Sequence, residues 1–314
     1  MGNYAFGVDI GGTTVKLGLF DREGCVLDKW EIPTVKDNEG ASILPDVAKS
    51  ILAKMKEKSI GEDDLEGIGI GVPGAVDNEG TLVGGAVNIG WKSFNIPKVM
   101  NAYINVPVKA ANDANSAAFG EMWQGGGKGY TNMVAVTLGT GVGGGIIVDG
   151  EIITGATGAA GEIGHIHIED SETDVCGCGN QGCLEQYASA TGVVRLAKRR
   201  LAEDDKSTVL REGTLSAKSV FDAVKNGDEV AIEIAERFGR YLGKGLALVA
   251  NVVNPEVFVI GGGVSKAGEI LLSFVEPELQ KYIFPASRNV KLALAQLGND
   301  AGIYGAAGLI LCQK

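Results

Sequence analysis

The sequence predicts an α/β protein built from two related halves. Three observations carry that expectation. Strand-like and helix-like patterns alternate along the chain, the 48 glycines gather where β-like runs end, and the first residues overlay weakly on a stretch 128 positions later. Glycine at a strand end permits a tight turn and lets backbone approach a ligand closely. The clusters here are "DIGGTT", "GIGIGVPGAV", "LGTGVGGG" and "VIGGGVS".

The elements follow in order. "YAFGVDI", "TVKLGLFD" and "VLDKWEIP" read as a strand meander, with turns at 11–12 and at "DREG", 21–24. Apolar residues at Ile43, Val47, Ile51, Leu52 and Met55 give the period of a helix over about 41–57. "LEGIGIGVPGAVD" is a buried strand ending in a turn, "VPVKAAND" is another strand, and "ANSAAFGEMW" is helical. The second half opens near 130, where "MVAVTLGTGVGGGIIVDGEII" reads strand, glycine turn, strand, acidic turn, strand. At the 128-residue offset Val8 falls on Val136, Ile10 on Leu138, Gly11 on Gly139, Asp21 on Asp149 and Glu23 on Glu151. Helices are expected over about 190–203, 216–226 and 228–253, strands at "EVFVIGGG" and "VKLALAQ", and an Ala/Gly-rich apolar helix at "DAGIYGAAGLILC".

Composition narrows the function. A chain of 314 residues is most simply two domains. A net charge of −11 without a basic stripe argues against nucleic acid or an anionic membrane as the main partner. No apolar run reaches the length of a membrane span, and "MGNYAFGVDIGG" has neither the pattern of a secretory signal nor that of a myristoylation site. Five cysteines, three of them clustered, do not suggest a disulfide framework, so a reducing cytoplasm is the expected setting.

The familiar nucleotide loops do not fit. No G-x-x-x-x-G-K-[ST] occurs. G-x-G-x-x-G occurs at Gly139, Gly141 and Gly144 and at Gly69, Gly71 and Gly74, but "IIVDGEII" and "AVDNEG" follow instead of the helix a dinucleotide fold needs. What remains is "DIGGTTVK". Its acid could hold Mg²⁺, its glycine N–H groups and hydroxyls could hold phosphate oxygens, and Lys16 could neutralise charge. Alone the stretch is a tight hairpin. "LGTGVGGG" offers the second half's equivalent and "VIGGGVS" a third glycine turn, so two duplicated halves could clamp a triphosphate.

A second concentration of chemistry lies at "GHIHIEDSETDVCGCGNQGCLEQ". Cys176, Cys178 and Cys183 with one histidine give a thiolate-rich set of four, the donor number and softness of a closed structural Zn²⁺ site. His165 and His167 lie on the same face of an extended segment, so spacing leaves the choice between them open. Asn112 and Asp113 stand where a strand passes into a helix, a place that favours both residues as helix caps.

In this order, "DIGGTTVKLGLFD", "GVPGAVD", "AVNIGW", "NDANSAAFGE", "LGTGVGGGII", "GEIGHI", "CGCGNQGCLE" and "VIGGGVS" resemble the ROK family (repressors, open reading frames, kinases), and within it the glucokinase branch. The resemblance spans essentially the whole chain. It implies two actin-like ATPase (ribonuclease H-like) domains with mixed sheets around an interdomain cleft. A small domain over 1–120 would be rejoined by the helix at about 301–314, and a larger one over 121–300 would carry the zinc loop. It implies ATP-dependent phosphorylation of a hexose, glucose at its 6-hydroxyl, as a step of glycolysis. Asp113 would be the catalytic base, and Asn88, Asn112, Asp113, Glu162, His165 and Glu185 would read the sugar. Asp9, Gly11, Gly12, Thr13, Thr14, Lys16, Gly139, Thr140 and Gly141 would hold phosphates and Mg²⁺, with Gly261, Gly262 and Gly263 at the adenosine. It selects His165, of the E-x-G-H motif, as the fourth zinc ligand beside Cys176, Cys178 and Cys183. It also implies a homodimer.

Two other readings stay open. One is a ROK kinase for N-acetylmannosamine, N-acetylglucosamine, allose or fructose, or one that uses polyphosphate. The other is a sugar-sensing regulator, which would carry a helix-turn-helix ahead of the phosphate motif; here Asp9 comes almost at once and the charge is acidic.

Overall fold

The computed structural model describes residues 2–312; Met1, Gln313 and Lys314, the last two within the helix expected at 301–314, lie outside the described residues. The chain divides into two compact units. One comprises Met1–Gly129, Gly145–Gly161 and Leu297–Lys314, and the other Tyr130–Gly144 and Glu162–Gln296.

The chain begins with the expected meander, β1 (Tyr4–Ile10), β2 (Thr14–Asp21) and β3 (Val26–Pro33). A short turn, α1 (Asp37–Gly40), left-handed at Asn38 and Glu39, precedes α2 (Ile43–Lys58), which buries Ile43, Leu44, Val47, Ala48, Ile51 and Met55. The outer strand β3 alternates between half-buried and exposed residues, whereas β4 (Leu65–Val72) is buried almost throughout. Three short strands, β5 (Ala75–Val76), β6 (Thr81–Val83) and β7 (Phe94–Asn95), form a separate antiparallel sheet. At two or three residues each they are too short to leave a period-two signature, and the sequence did not predict them. Next come α3 (Ile96–Met100), β8 (Val108–Asn112) and α4 (Asp113–Gln124).

The second hairpin is β9 (Met133–Leu138) and β10 (Val142–Val148), followed by β11 (Glu151–Ile152). Helices α5 (Glu185–Ala188), α6 (Ala190–Leu201), α7 (Ala217–Lys225) and α8 (Glu229–Val253) precede β12 (Val257–Gly261). Then α9 (Glu269–Tyr282), β13 (Lys291–Leu294) and α10 (Ala301–Leu311) complete the order. Helix α9 has no counterpart among the expected elements. Pro277 sits inside it, where a residue lacking N–H is an unfavourable helix former, and its N-cap Gly268 offers no side-chain acceptor.

The two main sheets bear out the duplication. One runs β3-β2-β1-β4-β8 and the other β11-β10-β9-β12-β13. Numbered within each half, both read 3-2-1-4-5. In each, a hairpin supplies antiparallel strands and later strands add in parallel. The 128-residue offset carries β1 onto β9 and β2 onto β10 almost residue for residue.

Within the first unit α10 lies against β1, β4 and α4 through glycine. A Cβ on Gly69 would stand 1.7 Å from the Ala306 carbonyl oxygen, and one on Gly305 1.5 Å from that of Ser116. No side chain fits at either place. Glu121, buried on α4, accepts the N–H groups of Gly126 and Leu297, each at 2.8 Å. It thereby closes the end of α4 onto the segment that enters α10.

Candidate active site and metal centre

In the first unit the β1–β2 turn places acid and cation side by side. Asp9 is the register partner of Lys16, and the turn closes with Gly11 N–H donating to Thr14 O at 3.0 Å. Thr34, which carried no sequence signal, clamps the same turn: its N–H donates to Thr13 O and its hydroxyl to Gly11 O at 2.8 Å. Lys16 Nζ donates to Asn299 O at 2.8 Å. Gly12 faces the amide of Asn88, which is exposed on a short turn, Val87–Ile89.

Strand β8 delivers Asn112 and Asp113 to the start of α4, and the structure separates their duties. Asn112 is the N-cap: its Oδ1 accepts from Ala114 N and Asn115 N, and its Nδ2 donates to Gly74 O and to Asp113 Oδ1, both at 3.0 Å. Asp113 is the first helical residue, its Oδ1 taking Ala114 N at 2.8 Å. A carboxylate here is favoured by the positive end of the helix.

Burial pushes the Asp9 carboxyl up from 3.8 to about 6; the neighbouring Asp113 carboxylate adds to the rise and Lys16 opposes it. Asp9, buried and beside a second acid, is relieved only in part by Lys16. A divalent cation would complete the relief, so the donor set fits Mg²⁺.

In the second unit the β9–β10 turn is closed one residue tighter. Gly139 N–H donates to Gly141 O, and Gly139 and Thr140 present carbonyls to the start of α6, taking Ala190 N–H and the Thr191 hydroxyl at 2.8 Å each. Thr191, like Thr34, comes from too far along the chain to enter a local motif. Val142 N–H donates to Glu185 Oε2 at 2.9 Å, and a Cβ on Gly141 would meet that oxygen at 2.2 Å. The glycine is what lets the carboxylate reach the turn. At the end of β12, Gly261 is buried in the strand, Gly262 turns at φ 85° against the backbone of Leu138, and Gly263 faces open space. Glu162 is exposed and leads into the short turn Ile163–His165.

The metal-ligating set is drawn together. One ligand atom each from His165, Cys176, Cys178 and Cys183 lies within 4.8 Å of the others. Cys176 Sγ is 3.7 Å from His165 Nδ1, and Cys178 Sγ is 3.6 Å from Cys183 Sγ. Tetrahedral zinc with bonds of about 2.3 Å to sulfur and about 2.05 Å to nitrogen requires edges of roughly 3.8 Å between sulfurs and roughly 3.5 Å between sulfur and nitrogen. The cysteines are not disulfide-bonded. Burial and the adjacent thiols push Cys183 up to about 12, while the Asn180 N–H draws Cys178 down. Thiols crowded in this way are relieved by a cation, and the cluster can hold a zinc ion.

The geometry also decides between the histidines. His167 Nδ1 lies 2.9 Å from the Gln181 carbonyl oxygen and Nε2 lies 2.7 Å from the Asp170 carboxylate. Both nitrogens face acceptors, and Asp170 raises the pKa of the ring. His167 thus has no lone pair to give, and His165 completes the set. Trp91 is buried with its indole N–H donating to Gly40 O, a packing role.

A profile of the ROK family matches residues 5–313. A glucokinase of Halalkalibacterium halodurans is 42% identical over 313 residues, covering 98% of this chain and 95% of the relative. A glucokinase of Thermotoga maritima is 36% identical over 310 residues, covering 97% and 96%. Among solved structures, a ROK family glucokinase from Streptomyces griseus in complex with glucose and AMPPNP is 36% identical, with a TM-score of 0.73 and 98% of each chain covered. The chain belongs to the ROK family.

Proposed function

We propose that this protein is a glucokinase that transfers the γ-phosphoryl group of ATP to the 6-hydroxyl of glucose. The observation that carries the reading is the division of labour at the start of α4. Asn112 caps the helix, so the structure does not need Asp113 for that purpose, and Asp113 stands beside Asp9 at the glycine turn. Phosphoryl transfer to a sugar needs a carboxylate to accept the hydroxyl proton, together with positioning and charge neutralisation. The relative crystallised with glucose and AMPPNP, an ATP analogue, supports the same pair of substrates.

In this mechanism Asn112 Nδ2 orients Asp113, and Asp113 takes the proton as the 6-hydroxyl oxygen attacks in line. Asn88, Glu162, His165 and Glu185 accept or donate hydrogen bonds at the sugar hydroxyls, whereas Asn112, whose amide is taken up by the cap, Gly74 and Asp113, acts on the sugar through Asp113. Mg²⁺ arriving with ATP supplies charge neutralisation at the phosphates. Asp9 and Lys16 serve it and the phosphates from the first glycine turn. Gly11–Thr14 and Gly139–Gly141 offer backbone and hydroxyl groups to the phosphate oxygens, and Gly261–Gly263 leave room for adenosine. His165, Cys176, Cys178 and Cys183 hold zinc, which ties down the loop leading to Glu185. The protein works as a cytoplasmic homodimer without nucleic acid.

A coupled assay over a panel of hexoses and phosphoryl donors tests this. Glucose with ATP should give the highest kcat/KM. Preference for an N-acetylhexosamine or for polyphosphate would replace the substrate assignment. Glucose binding without ATP turnover would mark a sugar-sensing regulator.

A further inference from the structure

The roles above leave one buried acid of the second unit without a task. Glu172 lies in the loop between His167 and Cys176, and its side chain has 0% exposure. Its Oε1 accepts the backbone N–H groups of Thr173 and Asp174, each at 2.9 Å, and Arg195 Nη2 at 2.6 Å. Its Oε2 accepts the Tyr187 hydroxyl and Arg199 Nη2, the latter at 3.1 Å. Burial alone would push this carboxyl up. The Tyr187 hydroxyl, Arg195 and the Asp174 N–H outweigh it and hold the group down at about 2. The group is therefore ionised throughout the working range.

The donors come from three parts of the site. Tyr187 lies on α5 two residues after Glu185, and its ring is fixed by stacking on Tyr241 at 4.0 Å between centroids. Arg195 and Arg199 lie on α6, whose first turn binds the carbonyls of Gly139 and Thr140. Thr173 and Asp174 belong to the limb that leads into Cys176. That limb is stitched on by Gln181 Nε2 donating to Thr173 O and Gln186 Nε2 donating to Asp174 O.

We propose that Glu172 is a positioning residue: its one ionised carboxylate fixes the Cys176 limb, the Glu185 helix and α6 at a common point, so that its loss weakens sugar affinity and metal retention together. This rests on the reading of Glu185 as a sugar contact, whereas the metal arm does not. The chemistry favours a carboxylate here. Gln in its place keeps the volume but presents an NH₂ group towards the guanidinium and N–H donors, leaving some of them unpaired.

The test compares full-length zinc-loaded wild type with Glu172→Gln and Tyr187→Phe. Glucose KM, kcat at saturating glucose, the rate of zinc release to a chromogenic chelator, and Tm are measured at a temperature well below every Tm. Glu172→Gln should raise glucose KM and speed zinc release by roughly 10-fold or more each, the usual effect of losing an outer partner of a ligand set, with kcat within roughly 3-fold of wild type. Tyr187→Phe, which removes one donor and keeps the ring, should move both in the same direction by less. A lower Tm with unchanged KM and unchanged zinc release would overturn the proposal and leave Glu172 a stabilising residue only. Should Glu172→Gln fail to fold, Tyr187→Phe with unaltered KM and release would overturn it as well. A wild type that does not phosphorylate glucose would defeat the kinase reading, and the zinc-release comparison would still decide this one.

Discussion

Asp113→Asn separates two roles that the sequence left together. The amide is nearly isosteric and still bonds a hydroxyl, but it cannot take a proton. Asn112 supplies the cap, so α4 should stay intact. We expect kcat to fall by roughly 10²–10⁴-fold with little change in glucose affinity or Tm. A folded variant with near wild-type turnover would remove Asp113 from the mechanism. Asp9 offers a second test, in stability. Its carboxyl stands at about 6 in the folded protein against 3.8 ordinarily, so the folded state binds that proton more tightly. The contribution to stability is full below about pH 4 and is lost as pH rises through about 6, on the order of 3 kcal/mol. Denaturant melts of metal-free Asp9→Asn should lack this decline, and Mg²⁺-ATP should offset it in the wild type. In the sequence the candidate acids were visible, because they sit in short motifs. Thr34, Thr191 and Glu172 were not, because each acts on a residue that only folding brings near. Spacing alone did not separate His165 from His167; the family resemblance chose His165, and Asp170 and Gln181 occupy the ring nitrogens of His167.

The zinc loop and α10 illustrate opposite kinds of constraint at the scale of elements. The loop has little regular structure, and its shape follows from side-chain ligands and the hydrogen bonds around Glu172. Metal analysis should return one zinc per chain. Cys178→Ala should lower that content and raise glucose KM, and a metal-depleted variant with unaltered KM would mean the loop is held another way. Helix α10 is held by the absence of side chains. Gly305→Ala would gain about 1 kcal/mol of helix propensity. It would also force a methyl group into the Ser116 carbonyl oxygen, an overlap no local shift accommodates. Overpacking should win, with a net loss of more than about 2 kcal/mol in chemical denaturation. Periodicity and glycine turns made most elements legible. Helix α9 was not, because Pro277 and an uncapped start remove the usual signs of a helix, and β5–β7 are too short to have a period.

The molecule as a whole has the two-domain actin-like ATPase fold, visible in two sheets with one strand order. The faint overlay at 128 residues, five positions mostly at turns, pointed to the duplication, and the ordered motifs of the family resemblance implied the fold. Turn residues persist in such a duplication because backbone geometry dictates them, whereas core positions can exchange one apolar residue for another. Self-association belongs to this scale too. Light scattering at working concentration should give a dimer mass, and a clean monomer would count against the assignment.

The helix packed on Gly69 and Ser116 has a consequence for how the protein is made. The surfaces it covers lie on β1, β4 and α4, which end at Gln124, and α10 begins at Ala301. A ribosome adding roughly 5–20 residues per second needs about 10–35 s to travel between them. Throughout that interval the first unit has every strand of its main sheet and no cover for its glycine-lined face. The second unit, complete at Gln296, is finished before the first despite following it in the chain. Chains ending just before residue 297 and released from the ribosome should accordingly be cut by protease within residues 4–124 and resist it within 162–296. Extending the same chains through α10 should protect both.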